Sequence, residues 1–356
     1  MAPPRSPADR GYAMPAEWAP HAATWLAWPH NVHDWPGRFG AIPWVFADVA
    51  RKLAEGEVVR VMVKDAAAGA RARRLLGRHG ADLGHVEIHR IPTDRAWTRD
   101  SGPIVLRRER GAPRRAVAGF RFDAWAKYDD WRRDARVAAR AAKAIGAPLL
   151  PVRRGGRDVV LEGGAIDVNG SGSVLATEEC LLDPSVQVRN PGFGPGDYEA
   201  VFRDALGARN TIWLGKGIAG DDTHGHVDDV ARFVGPRTIV LASEPDARDA
   251  NHAALEDNRE RLASARLEDG SRPEVVLLPM PRPLAFDGRR VPASYANFYV
   301  ANAAVLVPTF NDPADRRALG ILGDLFRDRP VVGVHALDLV WGLGTLHCVT
   351  QQEPAP

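Results

Sequence analysis

Residues 303–334 read AAVLVPTFNDPADRRALGILGDLFRDRPVVGV. The stretch opens on a short apolar run, 303–307, and closes on a β-branched one, 331–334, each bounded by a proline. Between them Asp312 stands where a helix N-cap belongs, and Pro313 where the first helical residue belongs. Leu319, Leu322, Leu325 and Phe326 then keep helical spacing. The stretch therefore predicts strand, helix over 313–326, strand. Working outward, similar short runs predict strands at 58–63 (VVRVMV), 86–91, 211–214, 238–241 and 275–278. Amphipathic stretches at 43–55, 66–78, 131–145, 197–206 and 247–265 predict helices between them. This alternation makes the chain α/β. No linker or composition break divides it, so a single domain over 14–356 is expected, behind a flexible tail at 1–13.

Composition narrows the function classes. Of 356 residues, 45% are hydrophobic and 26% charged, which excludes a disordered or collagen-like chain. Forty-seven basic residues face 45 acidic ones, and a net charge of +2 points to neither a nucleic-acid nor a membrane partner. Only five of the basic residues are lysines, so arginine richness reads as codon bias. Two cysteines, Cys180 and Cys348, fit a reducing cytoplasm, and the prolines and charges at the N-terminus do not make a signal peptide. The composition leaves room for a homo-oligomer.

Two motifs mislead. Gly215-Lys-Gly217-Ile-Ala-Gly220 matches a dinucleotide-binding pattern, but Asp221 and Asp222 follow where a pyrophosphate needs an anion-friendly helix start. His224, His226 and Asp228 carry the spacing of part of a metal-ligand set, so a metal-dependent hydrolase is the rival reading from another class.

Four polar, glycine-rich segments interrupt the apolar pattern: 94–103 (DRAWTRDSGP), 161–164 (LEGG), 221–228 (DDTHGHVD) and 342–352 (GLGTLHCVTQQ). Together they supply a thiol, an imidazole and several carboxylates. A thiol with an imidazole performs nucleophilic catalysis. That many carboxylates call for a cationic partner, and a guanidinium matches them in shape and permanent charge. Substitution at a guanidinium carbon is the chemistry they suit. Arg99, beside Asp100, is expected to support the Asp100 loop rather than to reach a substrate tail.

The segments 14–29 (MPAEWAPHAATWLAWP), WTRDSGP, EGG, DTHGHVDD, 292–315 (PASYANFYVANAAVLVPTFNDPAD) and HCVTQQEP resemble the agmatine deiminase and Porphyromonas-type peptidylarginine deiminase family, in that family's order, from residue 14 to 354. The resemblance implies a pentein fold, a five-bladed propeller of ββαβ units. It implies Cys348 as nucleophile, His226 as general acid/base, and Asp100 and Asp228 as the guanidinium clamp. Trp97 would wall the pocket, with Glu162 and Asp222 as further substrate-binding carboxylates. It implies a small cationic guanidino substrate, foremost agmatine giving N-carbamoylputrescine and ammonia, with peptidylarginine as the alternative, and no cofactor or metal. A binder without turnover is a third reading, opposed by Cys348. On a strand His226 and Asp228 would share one side while His347 would turn away from Cys348. One departure stands out: the family commonly has three glycines before the cysteine, and this chain has Gly342-Leu343-Gly344-Thr345.

Overall fold

The stretch that opens the sequence argument folds as strand, helix, strand. Val305–Thr309 pairs in parallel with Val331–His335, and the helix Ala314–Leu325 crosses between them. The Asp312 carboxylate accepts the Ala314 N–H at 2.9 Å, so the predicted cap forms and the helix starts one residue later than expected. The computed structural model describes residues 6–356.

The same topology recurs. Val305–Thr309 also pairs antiparallel with the short strand Tyr299–Val300 just before it. Arg115–Gly119 likewise lies antiparallel to Ile104–Arg107 and parallel to Leu149–Pro151. Ser173–Thr177 does so with Asp167–Val168 and Asn210–Leu214, and Thr238–Ser243 with Ala231–Phe233 and Glu274–Pro279. In the remaining large sheet His21–Ala27 runs parallel to Val58–Val63, which runs parallel to Val86–Arg90. Its antiparallel neighbour is the last strand of the chain, Gln351–Pro354. The first and last strands are thereby locked into one sheet. Each parallel pair is joined through helix, as a parallel connection requires.

The predicted strands and helices are present, with shifted ends. The helix expected over 131–145 is shorter, Val137–Ala144, behind a 3-10 turn at Asp134–Arg136. Of the tail expected at 1–13, residues 1–5 lie outside those described. Residues 6–13 are held: Tyr12 is buried and its hydroxyl donates to Pro113 O at 2.8 Å. Ala13 exchanges backbone hydrogen bonds with Arg107, so the packed domain begins before residue 14. No dinucleotide site forms at Gly215–Gly220, because no helix follows that turn. Among the described residues no helix is long and apolar enough to cross a membrane.

The interior is not wholly apolar. Glu17 is buried and meets three basic side chains: Arg232 at 2.9 Å, His347 Nε2 at 2.8 Å and Arg99 at 3.1 Å. Arg232 continues to Asp167 at 3.0 Å, and Arg99 to the Gln352 amide oxygen at 2.7 Å. Burial pushes the Glu17 carboxyl up, but Arg232, His347 and Arg99 outweigh it and hold it well below the usual range.

Removing one partner of such a network strands the others in a dry interior. Glu17→Gln is expected to cost about 3–5 kcal/mol in denaturant unfolding near pH 7. Because the folded carboxyl titrates low, its contribution is present above the ordinary glutamate value of about 4.3 and fades on acidification below it. The gap between the two proteins should therefore narrow in acid. A gap that stays constant or widens there would contradict the network's ionic character.

Candidate active site

Five segments converge on one site, and each comes just before the first short strand of one sheet. They are the helical turn Thr98–Ser101, the turn Gly163–Ala165 preceded by Glu162, the turn Val227–Asp229 preceded by His226, Asn297, and the turn carrying His347 and Cys348. Repeating one topology thus repeats one position, and the chemistry collects there.

Cys348 is a free thiol at the floor of a cavity of roughly 160 Å³. Its walls include Trp97, Asp100, Trp125, Tyr128, Asp222 and Trp341. The Asn297 amide donates to Cys348 Sγ at 3.2 Å, while its carbonyl oxygen accepts from Thr345 Oγ1 at 2.7 Å and from the His347 N–H at 3.1 Å. Asn297 therefore fixes both the thiol and its turn. Gly344 lets this turn come close: a Cβ there would stand 2.9 Å from the Trp97 ring and 3.1 Å from Sγ.

Asp100 accepts from the Trp125 indole N–H at 3.0 Å and from the Gly164 N–H at 3.2 Å. His226 Nδ1 lies 3.8 Å from its Oδ1. Asp228 receives His347 Nδ1 on Oδ2 at 2.6 Å, and its Oδ1 has no partner. Gly164 sits among all three groups; a Cβ there would lie 2.6 Å from His226 Nδ1, 2.9 Å from Asp100 Oδ1 and 3.1 Å from Asp228 Oδ2. Only glycine fits.

The electrostatics follow from burial and crowding. Burial, with Asp228 and Glu162 nearby, raises the Asp100 carboxyl to about 6 although His226 opposes it. Burial also pushes Asp228 up, but the hydrogen bond and charge of His347 bring it below the usual range. His226 is lowered by burial and raised further by Asp100, Cys180 and Glu162, ending well above an ordinary histidine. The Cys348 thiol is pushed well up by burial and by Asp228, Asp229 and Asp100.

Of the residues singled out from sequence, Cys348, Asp100, Trp97 and Asp222 face the cavity. His226 and Asp228 are buried behind its floor, and they converge through a 3-10 turn rather than by strand alternation. Glu162 does not open onto the cavity: it is buried behind His226 and paired with Arg189 at 3.2 Å. Burial raises its carboxyl, but Arg189 and His226 prevail and bring it down to about 2. Asp222 is already satisfied by Lys127 at 2.7 Å, the Tyr128 hydroxyl at 2.5 Å and Arg289 at 3.0 Å. Arg289 and Arg95 line the cavity while Arg99 lies beneath it on Glu17. His347 turns away from the cavity to Glu17 and Asp228. The metal set of the rival reading is not assembled, because His224 turns to Asp183 at 3.0 Å. Sequence reasoning gave Asn297, Trp125 and Gly164 no role, although Asn297 and Gly164 lie inside segments that stood out.

A family model described as Porphyromonas-type peptidyl-arginine deiminase matches residues 13–354. The agmatine deiminase of Stutzerimonas stutzeri is 35% identical over 378 aligned positions, covering 99% of this chain and 98% of that one. The structure of the agmatine deiminase of Enterococcus faecalis superposes with a TM-score of 0.89 at 29% identity, covering 99% of both chains. A Cys-to-Ser variant of the C. jejuni agmatine deiminase with substrate bound gives 0.83 at 26% identity, covering 97% of this chain and 96% of that one.

Asp100 offers a test that needs no assumption about turnover. A carboxyl whose folded value is raised favours folding below the unfolded value and loses that advantage as pH rises through about 6. Asp100→Asn, neutral throughout, should therefore gain about 1–3 kcal/mol relative to the parent between pH 4.5 and pH 8. Thermal unfolding at the two pH values checks it; an equal difference at both would mean the carboxyl is not strained by its neighbours.

Proposed function

The chain belongs to the Porphyromonas-type peptidyl-arginine deiminase family, and from that footing we propose that it hydrolyses agmatine to N-carbamoylputrescine and ammonia. The observation that carries the reading is a thiol set among buried carboxylates, one of them with the unpartnered buried oxygen Asp228 Oδ1. A guanidinium supplies the missing donor and further positive charge together.

In this reading Asp100 and Asp228 clamp the guanidinium and aim its carbon at Cys348. Burial and nearby carboxylates hold the thiol protonated; the bound cation offsets them, the thiol proton passes to solvent, and the thiolate forms where the substrate already sits. Sulfur attacks the guanidino carbon to give a tetrahedral adduct. His226, protonated in the resting site, delivers its proton to the departing nitrogen as the C–N bond breaks. Ammonia leaves, and an amidino-cysteine remains. The neutral imidazole then takes a proton from water, whose oxygen bonds to the same carbon. The C–S bond breaks, the thiol recovers its proton, and the ureido product is released. Glu162 acts through His226 rather than on the substrate, and Asn297 holds the sulfur in line.

Trp97, Trp125 and Trp341 suit the methylene chain. Asp222 and Asp34 suit the distal ammonium, although each is already shared with arginine or lysine. We further propose that the five similar sheets are the blades of a five-bladed ββαβ propeller around this site. Supporting this are their shared topology, the joining of the first and last strands in one sheet, and the single segment each sheet contributes. A cytoplasmic setting suits two unpaired cysteines.

Comparing kcat/KM for agmatine, free arginine and a peptidylarginine tests the substrate, with agmatine expected highest by at least tenfold. A higher value for either competitor would refute agmatine and leave the deimination chemistry standing. Cys348→Ala should reduce turnover at least a thousandfold while agmatine still binds in calorimetry, since the clamp remains. Appreciable turnover in that variant would remove the thiol from the mechanism.

A further inference from the structure

Behind His226, on the side away from the cavity, lies a group that the reaction does not use. Cys180 sits in the short helix Glu178–Leu182, where its N–H donates to Thr177 Oγ1 at 3.1 Å. Its thiol is free and buried. One ligand atom from each of Glu162, Cys180 and His226 lies within 4.8 Å of the other two, and His226 Nε2 stands 3.9 Å from Glu162 Oε2. Both Glu162 Oε2 and His226 Nε2 are buried without a hydrogen-bond partner. Buried polar atoms are rarely left so, and here two face the same thiol.

We propose that Glu162, Cys180 and His226 form a binding site for a borderline-soft divalent ion such as zinc, and that filling it inhibits the enzyme by occupying the imidazole. One sulfur, one nitrogen and one carboxylate oxygen is a donor set that suits Zn²⁺ and disfavours the hard cations Mg²⁺ and Ca²⁺. Ligand atoms around tetrahedral zinc stand about 3.5 Å apart, so the three side chains must close in by up to roughly an ångström. Arg189 opposes a cation here, but its charge is already engaged by the other oxygen, Glu162 Oε1. Asp100 lies on the far nitrogen of His226 and adds negative charge. On binding, the thiol and His226 Nε2 each give a proton to solvent. The set shares His226 with the rival sequence motif but neither His224 nor Asp228. The inhibitory half rests on His226 being the acid/base of the proposed reaction; the binding half does not.

Cobalt(II) is the probe, because a thiolate ligand gives it a near-ultraviolet charge-transfer band. The chain has two cysteines, so in Cys348→Ala any such band must come from Cys180. That variant should bind one equivalent of cobalt with the band present and lose it when zinc is added. Adding Cys180→Ser or Cys180→Ala should abolish the band. In the unmodified protein zinc should inhibit agmatine turnover, and either Cys180 substitution should raise the half-inhibiting zinc concentration at least tenfold, each variant being compared with its own metal-free rate. No thiolate band in Cys348→Ala overturns the site, as does zinc inhibition that is unchanged in both Cys180 variants. Failure of the functional reading is separate: it appears as absent agmatine turnover without metal, with the cobalt band intact.

Discussion

A single buried carboxylate, Glu17, meets Arg99, Arg232 and His347, and the position of the site residues follows from that arrangement. Each of the three lies next to a group at the site. Arg99 precedes Asp100, and its backbone N–H donates to Cys348 O at 3.0 Å. His347 precedes Cys348 and holds Asp228 through its other ring nitrogen. Arg232 lies in the strand that follows Asp228 and Asp229 and reaches the Phe298 carbonyl beside Asn297 at 2.8 Å. An apolar core could bury as much surface, but it could not fix these turns in rotation. Charged partners with set directions do so, at a desolvation cost that only a complete set of partners offsets.

The same logic, run in reverse, governs the site above. There burial, reinforced by neighbouring carboxylates, pushes both Asp100 and the Cys348 thiol up. A thiol held protonated by its surroundings is protected from passing electrophiles. In the reaction proposed above, an entering guanidinium adds positive charge beside that thiol, so that selectivity for cations and activation of sulfur are one electrostatic effect.

Much of the fold was legible because its longer elements are locally consistent. Four of the six residues in the run 58–63 are β-branched, and Asp312 caps its helix as predicted. The first strand of each unit was harder to see. Ala231–Phe233 and Tyr299–Val300 are too short for any alternation to show, and both are buried along their whole length. That blind spot matters, since the site residues stand directly before such strands. Cys348, Asp100, His226 and Asp228 were legible through residue type and motif. Their environment was not: Arg189 reaches Glu162 across 27 residues, and Arg289 reaches Asp222 across 67. Such pairs are written in the fold alone. The strand assumed for His226 and Asp228 failed for a local reason, since Gly225 at φ +90° turns the chain into the 3-10 turn that places both.

The loop before the nucleophile shows how tightly one departure is constrained. Gly342 has no room for a side chain, since a Cβ would lie 2.4 Å from the Trp35 indole nitrogen, and Gly344 is closed by Trp97 and the thiol. Between them Leu343 takes φ +72°, a left-handed conformation that costs a residue with a side chain about 1 kcal/mol. Glycine would avoid that cost at position 343. Leucine instead lines the cavity and packs against the main apolar core. The strain is thus offset by contact, and the loop gains an anchor where glycine would leave it free to move. Fixed at three successive residues, the turn carries Cys348 on a rigid support. It also adds an aliphatic surface to a cavity otherwise walled by indoles and charged groups, which matches a ligand whose two cationic ends are joined by methylenes.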